Sequence, residues 1–285
     1  MALLKPDVHH YNDPLKFLRD WFAYQKDLNP EFSLRAFSKS ARLSVGFLPI
    51  ILNGKRTLTE RALERILPPM DLTLAEANFL RSLRKLAHSR DRGERRTGFQ
   101  SLQKYQIYRR LNPKEFEVYR YLSRWFYVVI REMADMSHFQ LDAEWIREHL
   151  TYPVPLTEIQ KAIRFLVEHG FIEPASGGAQ PAAKKDKHIT CNDAVYRVAM
   201  AAYHQSMLKL VADSVETVER ERRHIMGITV GMDEATFTEV KALIESTVAR
   251  IRELTEKVTP RQAVYYVTLA AVPMAEQIQD PEKAS

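Results

Sequence analysis

Glycine is scarce, nine among 285 residues, and neither GxGxxG nor GxxxxGK[ST] occurs. The phosphate-cradling loops of nucleotide-binding folds are therefore excluded. A single cysteine, Cys191, has no internal disulfide partner, which fits a reducing compartment. No apolar run approaches the length that spans a bilayer. The amino end, MALLKPDVHHYNDP, lacks the apolar region of a signal peptide. Together these absences predict a cytoplasmic globular protein. Nine histidines are scattered without HExxH or comparable metal spacing. Cys191 has no GxSxG-like or histidine-partnered context, and Asp142/Glu144 and Glu219/Glu221 read as surface charge. No catalytic residue, metal or cofactor is expected, and the protein reads as a non-enzyme.

What is present is a lopsided charge. Residues 1–112 hold 21 Lys/Arg against 11 Asp/Glu, whereas residues 113–285 hold 21 against 25. A basic first half joined to a mildly acidic second half suggests that the amino-terminal part meets a polyanion.

Helical spacing of Leu15, Leu18, Trp21 and Phe22 predicts a first helix over residues 14–27, with Pro14 in its first turn. Ser33 opens a second helix, 33–41, and Ser44 is placed to cap a third that stops at Asn53-Gly54. Thr57 or Thr59 opens a fourth, closed by Pro68-Pro69, and Thr73 with Glu76 forms a capping box for a fifth ending near Ala87. His88–Gln106 lacks an apolar period and reads as a basic connector. Beyond it the pattern predicts one long aromatic helix from Pro113, a short helix over 142–150 and a helix over 156–169. A strand at 171–173 then leads into a glycine- and lysine-containing hairpin, expected to be mobile. The last third reads as helix 194–222, strand 225–232, helix 234–255 and strand 264–271, the order of a βαβ unit.

One stretch carries the functional signal: SKSARLSVGFLPIILNGKR, residues 38–56. Its apolar positions, Phe37, Ala41, Leu43, Leu48 and Ile51, have the spacing of a helix-turn-helix, with small Ser38 at the helix crossing. Arg42 stands where such a turn usually has glycine, and Pro49 falls inside the second helix. Arg35, Lys39, Arg42, Lys55 and Arg56 form a cationic cluster uninterrupted by any acid. Such groups suit contacts to duplex phosphates. Base readout needs donors and acceptors at the groove, and only Ser44 is polar between Leu43 and Leu52. Val45 and Phe47 are left to meet thymine methyls. A helix over Val45–Leu52, bent at Pro49, is expected to present Ser44, Val45 and Phe47.

The stretches FLRDWF, FSLRAFSKSARLS, NGKRTLT, LSRWFYVVIREM, EWIREHL and VYYVTLAAVP resemble a bacterial family of unknown function, often with many paralogues per genome. Its members join a Cro-like helix-turn-helix to a winged helix and a further carboxy-terminal region. The resemblance implies a transcriptional regulator, and it departs from the family pattern at Arg42 and Pro49. The expected fold is mainly α, with a small α+β carboxy-terminal part. Its organisation is a helix-turn-helix domain over 1–87, a basic connector over 88–112, a winged helix over 113–190 and an α-β-α-β dimerisation or sensing region over 191–285. The expected partners are double-stranded DNA, a second copy of the chain and an effector of unknown kind. Gln160, Lys161 and Arg164 on the second helix of the winged helix, and Lys184, Lys185 and Lys187 at the wing tip, are candidates for an auxiliary DNA contact, although nearby Glu158 and Glu168 favour a structural role for them. The alternative is a protein-interaction or ligand-sensing module that keeps a helix-turn-helix frame without reading DNA.

Overall fold

The structure is a computed structural model that describes residues 4–174, 183–185, 187 and 189–275. Among these residues the chain forms thirteen α-helices and one two-stranded sheet. It divides into two units, Met1–Tyr127 with Lys187–Ser206, and Val128–Asp186 with Met207–Ser285. No described helix is long and apolar enough to cross a membrane.

The first unit opens with α1 (Pro14–Leu28), α2 (Leu34–Ser40), α3 (Phe47–Leu52), α4 (Glu60–Ile66) and α5 (Leu74–His88). Local chemistry sets most of the starts. Asp13, Ser33 and Thr59 each accept an N–H of the following first turn, and Thr73 and Glu76 close a reciprocal capping box. Phe17, Leu18 and Trp21 of α1 and Phe79, Leu80 and Leu83 of α5 meet in one buried core.

The expected connector over 88–112 is instead helical, as α6 (Arg92–Leu102) and α7 (Gln106–Leu111). Asp91 caps α6 by accepting the Glu94 N–H at 2.7 Å. The helix escapes a periodicity search because its buried stripe is narrow: Gly98, Phe99 and Leu102. Gly98 contributes by having no side chain, since a Cβ there would lie 2.8 Å from the Leu86 nitrogen of α5. Arg84 of α5 is almost fully buried, its guanidinium 3.7 Å from Glu60 and 3.9 Å from Glu94. Arg84 thus places its charge near carboxylates of both α4 and α6.

The single long helix expected from Pro113 is two, α8 (Pro113–Leu122) and α9 (Trp125–Met133). Tyr121 and Tyr127 are both buried. In one continuous helix residues six apart would point about 120° away from each other. The break at Ser123-Arg124 allows both rings inside.

Glu115 of α8 is only 4% exposed and accepts a hydrogen bond from the Tyr108 hydroxyl. Burial pushes its carboxyl above the ordinary value, against the lowering effect of that hydrogen bond. A carboxyl raised in the folded state binds protons that the unfolded chain has already released, so its stabilising contribution falls as pH rises. We expect Glu115→Gln to gain on the wild type as pH climbs from about 4.5 through the folded value, and the difference to level off above it. Urea unfolding at stepped pH measures this, and a pH-independent difference would refute it.

In the second unit α10 (Ala143–His149) is capped by Asp142 and followed by α11 (Leu156–Glu168). Gly170, at φ +68°, ends α11 in the left-handed turn that favours glycine. The chain then enters β1 (Ile172–Glu173), antiparallel to β2 (Ala183–Lys184) in the register Ile172 opposite Lys184. The hairpin tip, expected to be mobile, lies outside the described residues. Ile146, Ile159, Phe165, Leu166 and Phe171 form the buried centre.

The last third corrects the expectation most. Two helices are present, α12 (Asp193–Thr217) and α13 (Glu234–Glu256), but neither 225–232 nor 264–271 forms a strand. The βαβ unit is absent from the described chain. Alternation of side chains shows that a segment suits a sheet, while a sheet exists only where a second strand lies alongside. The only ladder contact there is an isolated parallel bridge between Met136 and Arg261.

Candidate nucleic-acid interface

α2 and α3 carry the cationic stretch, and both end in the same way. At the end of α2 the Leu43 N–H reaches the Ser38 carbonyl at 2.8 Å, and the Arg42 N–H reaches Lys39 at 3.1 Å. At the end of α3 the Lys55 N–H reaches Ile50 at 3.1 Å, and the Gly54 N–H reaches Ile51 at 2.8 Å. Both are Schellman closures, which need a left-handed residue. Gly54 supplies one at φ +71° and Arg42 the other at φ +53°. Arginine in that region costs roughly 1–2 kcal/mol more than glycine. The conformation is held from outside, because Arg65 of α4 donates to the Arg42 carbonyl at 3.1 Å.

The expected helix from Val45 does not form. α3 starts at Phe47 behind Gly46 with no side-chain cap, and Ser44 offers its carbonyl, which accepts the Phe47 N–H at 3.0 Å. A helix from Val45 would put Pro49 in its second turn, where the ring removes a bond and crowds the preceding carbonyl. Starting at Phe47 puts Pro49 in the first turn, where no N–H has an intrahelical partner. The short helix still turns Leu48 and Ile51 inward, both fully buried, since residues three apart share a face at any helix length. Arg19 of α1 secures its end by donating to the Leu52 carbonyl at 2.9 Å.

A helix bent at Pro49 would gain stability from Pro49→Ala, and the observed start at Phe47 reverses that expectation. Pro49→Ala should lower stability by about 0.4–1 kcal/mol, because proline restricts the unfolded chain and breaks nothing in the folded one. Chemical unfolding decides it, and a clear gain in stability would restore the bent helix.

Arg35, Lys39, Arg42, Lys55 and Arg56 are all exposed, and none pairs with a carboxylate among the described residues. Ser33, Arg35, Lys39, Leu43, Ser44 and Val45 line one shallow groove beside α2. Arg56 sits elsewhere on the motif, with its guanidinium carbon 5.3 Å from the centre of the Phe47 ring. Phe47 is therefore half-buried against the core and does not point outward as expected. Ser44 is exposed as expected, and the apolar side chains that point outward beside it are Val45, 51% exposed, and Ile50, 44% exposed. Neither Val45 nor Ile50 carries a donor or acceptor for a base edge, which leaves the Ser44 hydroxyl as the one such side chain between Leu43 and Leu52.

Sequence reasoning missed Ile50, although its two-residue offset from Leu48 turns it away from the buried face wherever α3 begins. It also read the cations of α6 and α7 as a linker. Arg92, Arg96, Lys104, Arg109 and Arg110 stand exposed on folded structure.

The second group of candidates divides. Gln160, Lys161 and Arg164 lie on the exposed face of α11, with Lys161 bonded to Glu158 at 2.6 Å. The three lysines are not at a free wing tip. Lys184 lies in β2, 2.6 Å from Glu132, Lys185 is 2.6 Å from Glu173, and Lys187 bonds Glu117. Carboxylates already hold all three in place.

Cys191 is half-buried, and burial, with Glu115 and Asp193 nearby, pushes its thiol up to about 11. It stays protonated at neutral pH and is a poor nucleophile.

A family model described as a domain of unknown function, DUF4423, matches residues 102–274. The chain belongs to the DUF4423 family. The matched stretch runs from the end of α6 through both units and begins after the cationic motif of α2 and α3. Searches of curated proteins and of solved structures each return no match.

Proposed function

We propose that this DUF4423 member is a DNA-binding transcription regulator that acts as a dimer in the cytoplasm. In this reading α2, the turn at Arg42 and α3 are a helix-turn-helix. α10, α11 and the β1–β2 hairpin form a winged helix. The amino-terminal part would then be a DNA head joined to the family domain, in the manner of the many-paralogue bacterial proteins it resembles. The observation that carries the reading is five exposed cations, free of carboxylate partners among the described residues, gathered on one small helical motif.

The same motif sets the mode of binding. Phosphate contacts give affinity and register, while sequence information comes from groove-facing donors and acceptors. Val45 and Ile50 offer only apolar contact and Ser44 a single hydroxyl, so binding from this head is phosphate-dominated and discriminates weakly. DNA shape or a second head in the next groove would supply further selection. The paired lysines Lys184, Lys185 and Lys187 support a structural wing. Reversing their charge should leave DNA affinity unchanged, as fluorescence polarisation would read.

A second reading has its own supporting observation. A six-residue α3 with an apolar outer face suits a protein-interaction or ligand-sensing module that retains the frame. Polarisation titrations of the full chain against a random duplex at two salt concentrations separate the two. Salt-sensitive binding supports the regulator, and no binding at low salt supports the module.

A further inference from the structure

No described residue from Leu208 to Ala275 is buried. The stretch holds the last turns of α12, all of α13 and the segments 225–232 and 264–271. Of the 22 strongly exposed large apolar side chains among the described residues, 13 lie between Ile225 and Met274. Ordering a residue costs about 1–2 kcal/mol of backbone entropy, and that cost is normally offset by a core. Within one chain this region has none. Its apolar surface must be covered from outside.

The form of the cover follows from the segments. IMGITVGM (225–232) and VYYVTLAA (264–271) contain no charged residue and no proline. Monomeric proteins guard exposed strand edges with lysine, proline or bulges, because an open edge recruits other chains. These two segments are unguarded, and neither forms a strand with another described part of its own chain. Between them α13 carries Phe237, Val240, Ile244, Val248 and Ile251 at helical spacing, all half-buried.

We infer that the two segments pair with those of a second copy into one intermolecular sheet, which α13 of each copy covers, giving an intertwined homodimer. The inference rests on the dimeric part of the proposed reading and is independent of its DNA part. Three observations point to a second copy as the occupant. Each chain carries two strand-competent segments of equal length, so two copies satisfy one another reciprocally about a two-fold axis. Residues 224–275 hold six acids and five bases, so two copies meet with little repulsion. The 13 apolar side chains and their neighbours match the roughly 20–30 residues a side of a stable interface, and their composition matches the apolar, permanent kind. The aromatic helices α8 and α9 bury Tyr121, Phe126 and Tyr127 within their own chain and leave the tail as the seam.

The test uses the full chain in two measurements. Sedimentation at tens of micromolar should give twice the chain mass. Hydrogen–deuterium exchange should show amides of 225–232 and 267–271 protected at that concentration and losing protection on dilution. Ile228→Lys with Val267→Lys should give a monomer that keeps the thermal transition of the first unit. A wild-type monomer overturns the inference. So does a dimer whose 225–232 and 267–271 amides exchange freely, or a double-lysine variant that still dimerises. DNA binding is read separately. A monomer with intact salt-dependent binding sinks this inference together with the dimeric part of the reading and leaves its DNA part standing, whereas a protected dimer that ignores DNA sinks only the DNA part.

Discussion

Titrated with a random duplex, the protein should lose roughly 10²–10³-fold in affinity between 50 and 200 mM salt, with log K falling against log salt at a slope near −4 to −5. The magnitude follows from about five phosphate contacts, each releasing close to one counterion. Arg35, Lys39, Arg42, Lys55 and Arg56 are the groups available. Lys55→Gln with Arg56→Gln should flatten the slope by about two and weaken binding to all sequences alike. Arg56→Gln also takes the guanidinium off the Phe47 ring, so an unchanged thermal transition of the double variant is needed to assign the effect to charge. A wild-type slope near zero would remove the regulator reading. A double variant with an unchanged slope would move the contact elsewhere, and the exposed cations of α6 and α7 would be the next group to test.

Gly98→Ala should destabilise the first unit by about 3 kcal/mol or more, at the upper end of overpacking effects. An added Cβ would meet the Leu86 nitrogen at 2.8 Å and the Ser82 carbonyl oxygen and Lys85 Cβ at 2.9 Å. Two of these atoms belong to the backbone of α5, so relief requires the helices to part. Phe99 and Leu102, fully buried on the same stripe, would lose their packing together. In an exposed helix the same substitution stabilises by about 1 kcal/mol, so the sign itself reports the close approach. Urea unfolding followed by far-UV circular dichroism is sufficient. A neutral or stabilised variant would mean that α5 and α6 do not touch at Gly98.

Elements whose ends are written in local chemistry were legible in the sequence. Ser33 and Thr73 begin their helices where side-chain oxygens meet first-turn N–H groups, and Thr59 is the one of two candidate threonines that does so. The Asp13 cap of α1 was passed over for Pro14. Gly54 and Gly170 end their helices where a left-handed residue is required. These signals span only a few residues and need no partner. The inward set Phe37, Ala41, Leu48 and Ile51 was legible too, because a three-residue spacing survives a shift in the helix start. That start was misjudged by two residues. The direction of Phe47, which packs against the core beneath Arg56, and the exposure of Ile50 were missed separately from that start.

By itself, then, the sequence determined which segments turn, which faces are apolar, and that the first half gathers exposed positive charge. Tertiary structure alone decided which apolar pattern finds a partner. α6 became a helix against α5 because a missing side chain at Gly98 lets two backbones meet, and absence of a side chain leaves no periodic trace. Lys184, Lys185 and Lys187 became paired because Glu132, Glu173 and Glu117 lie near them, two of those far away in sequence. Segment 225–232, which alternates, and segment 264–271, a nearly continuous apolar run, both suit strands and form none among the described residues. Alternation fixes only which side of a strand is apolar, whereas pairing requires another backbone at hydrogen-bonding distance, and no local pattern supplies one.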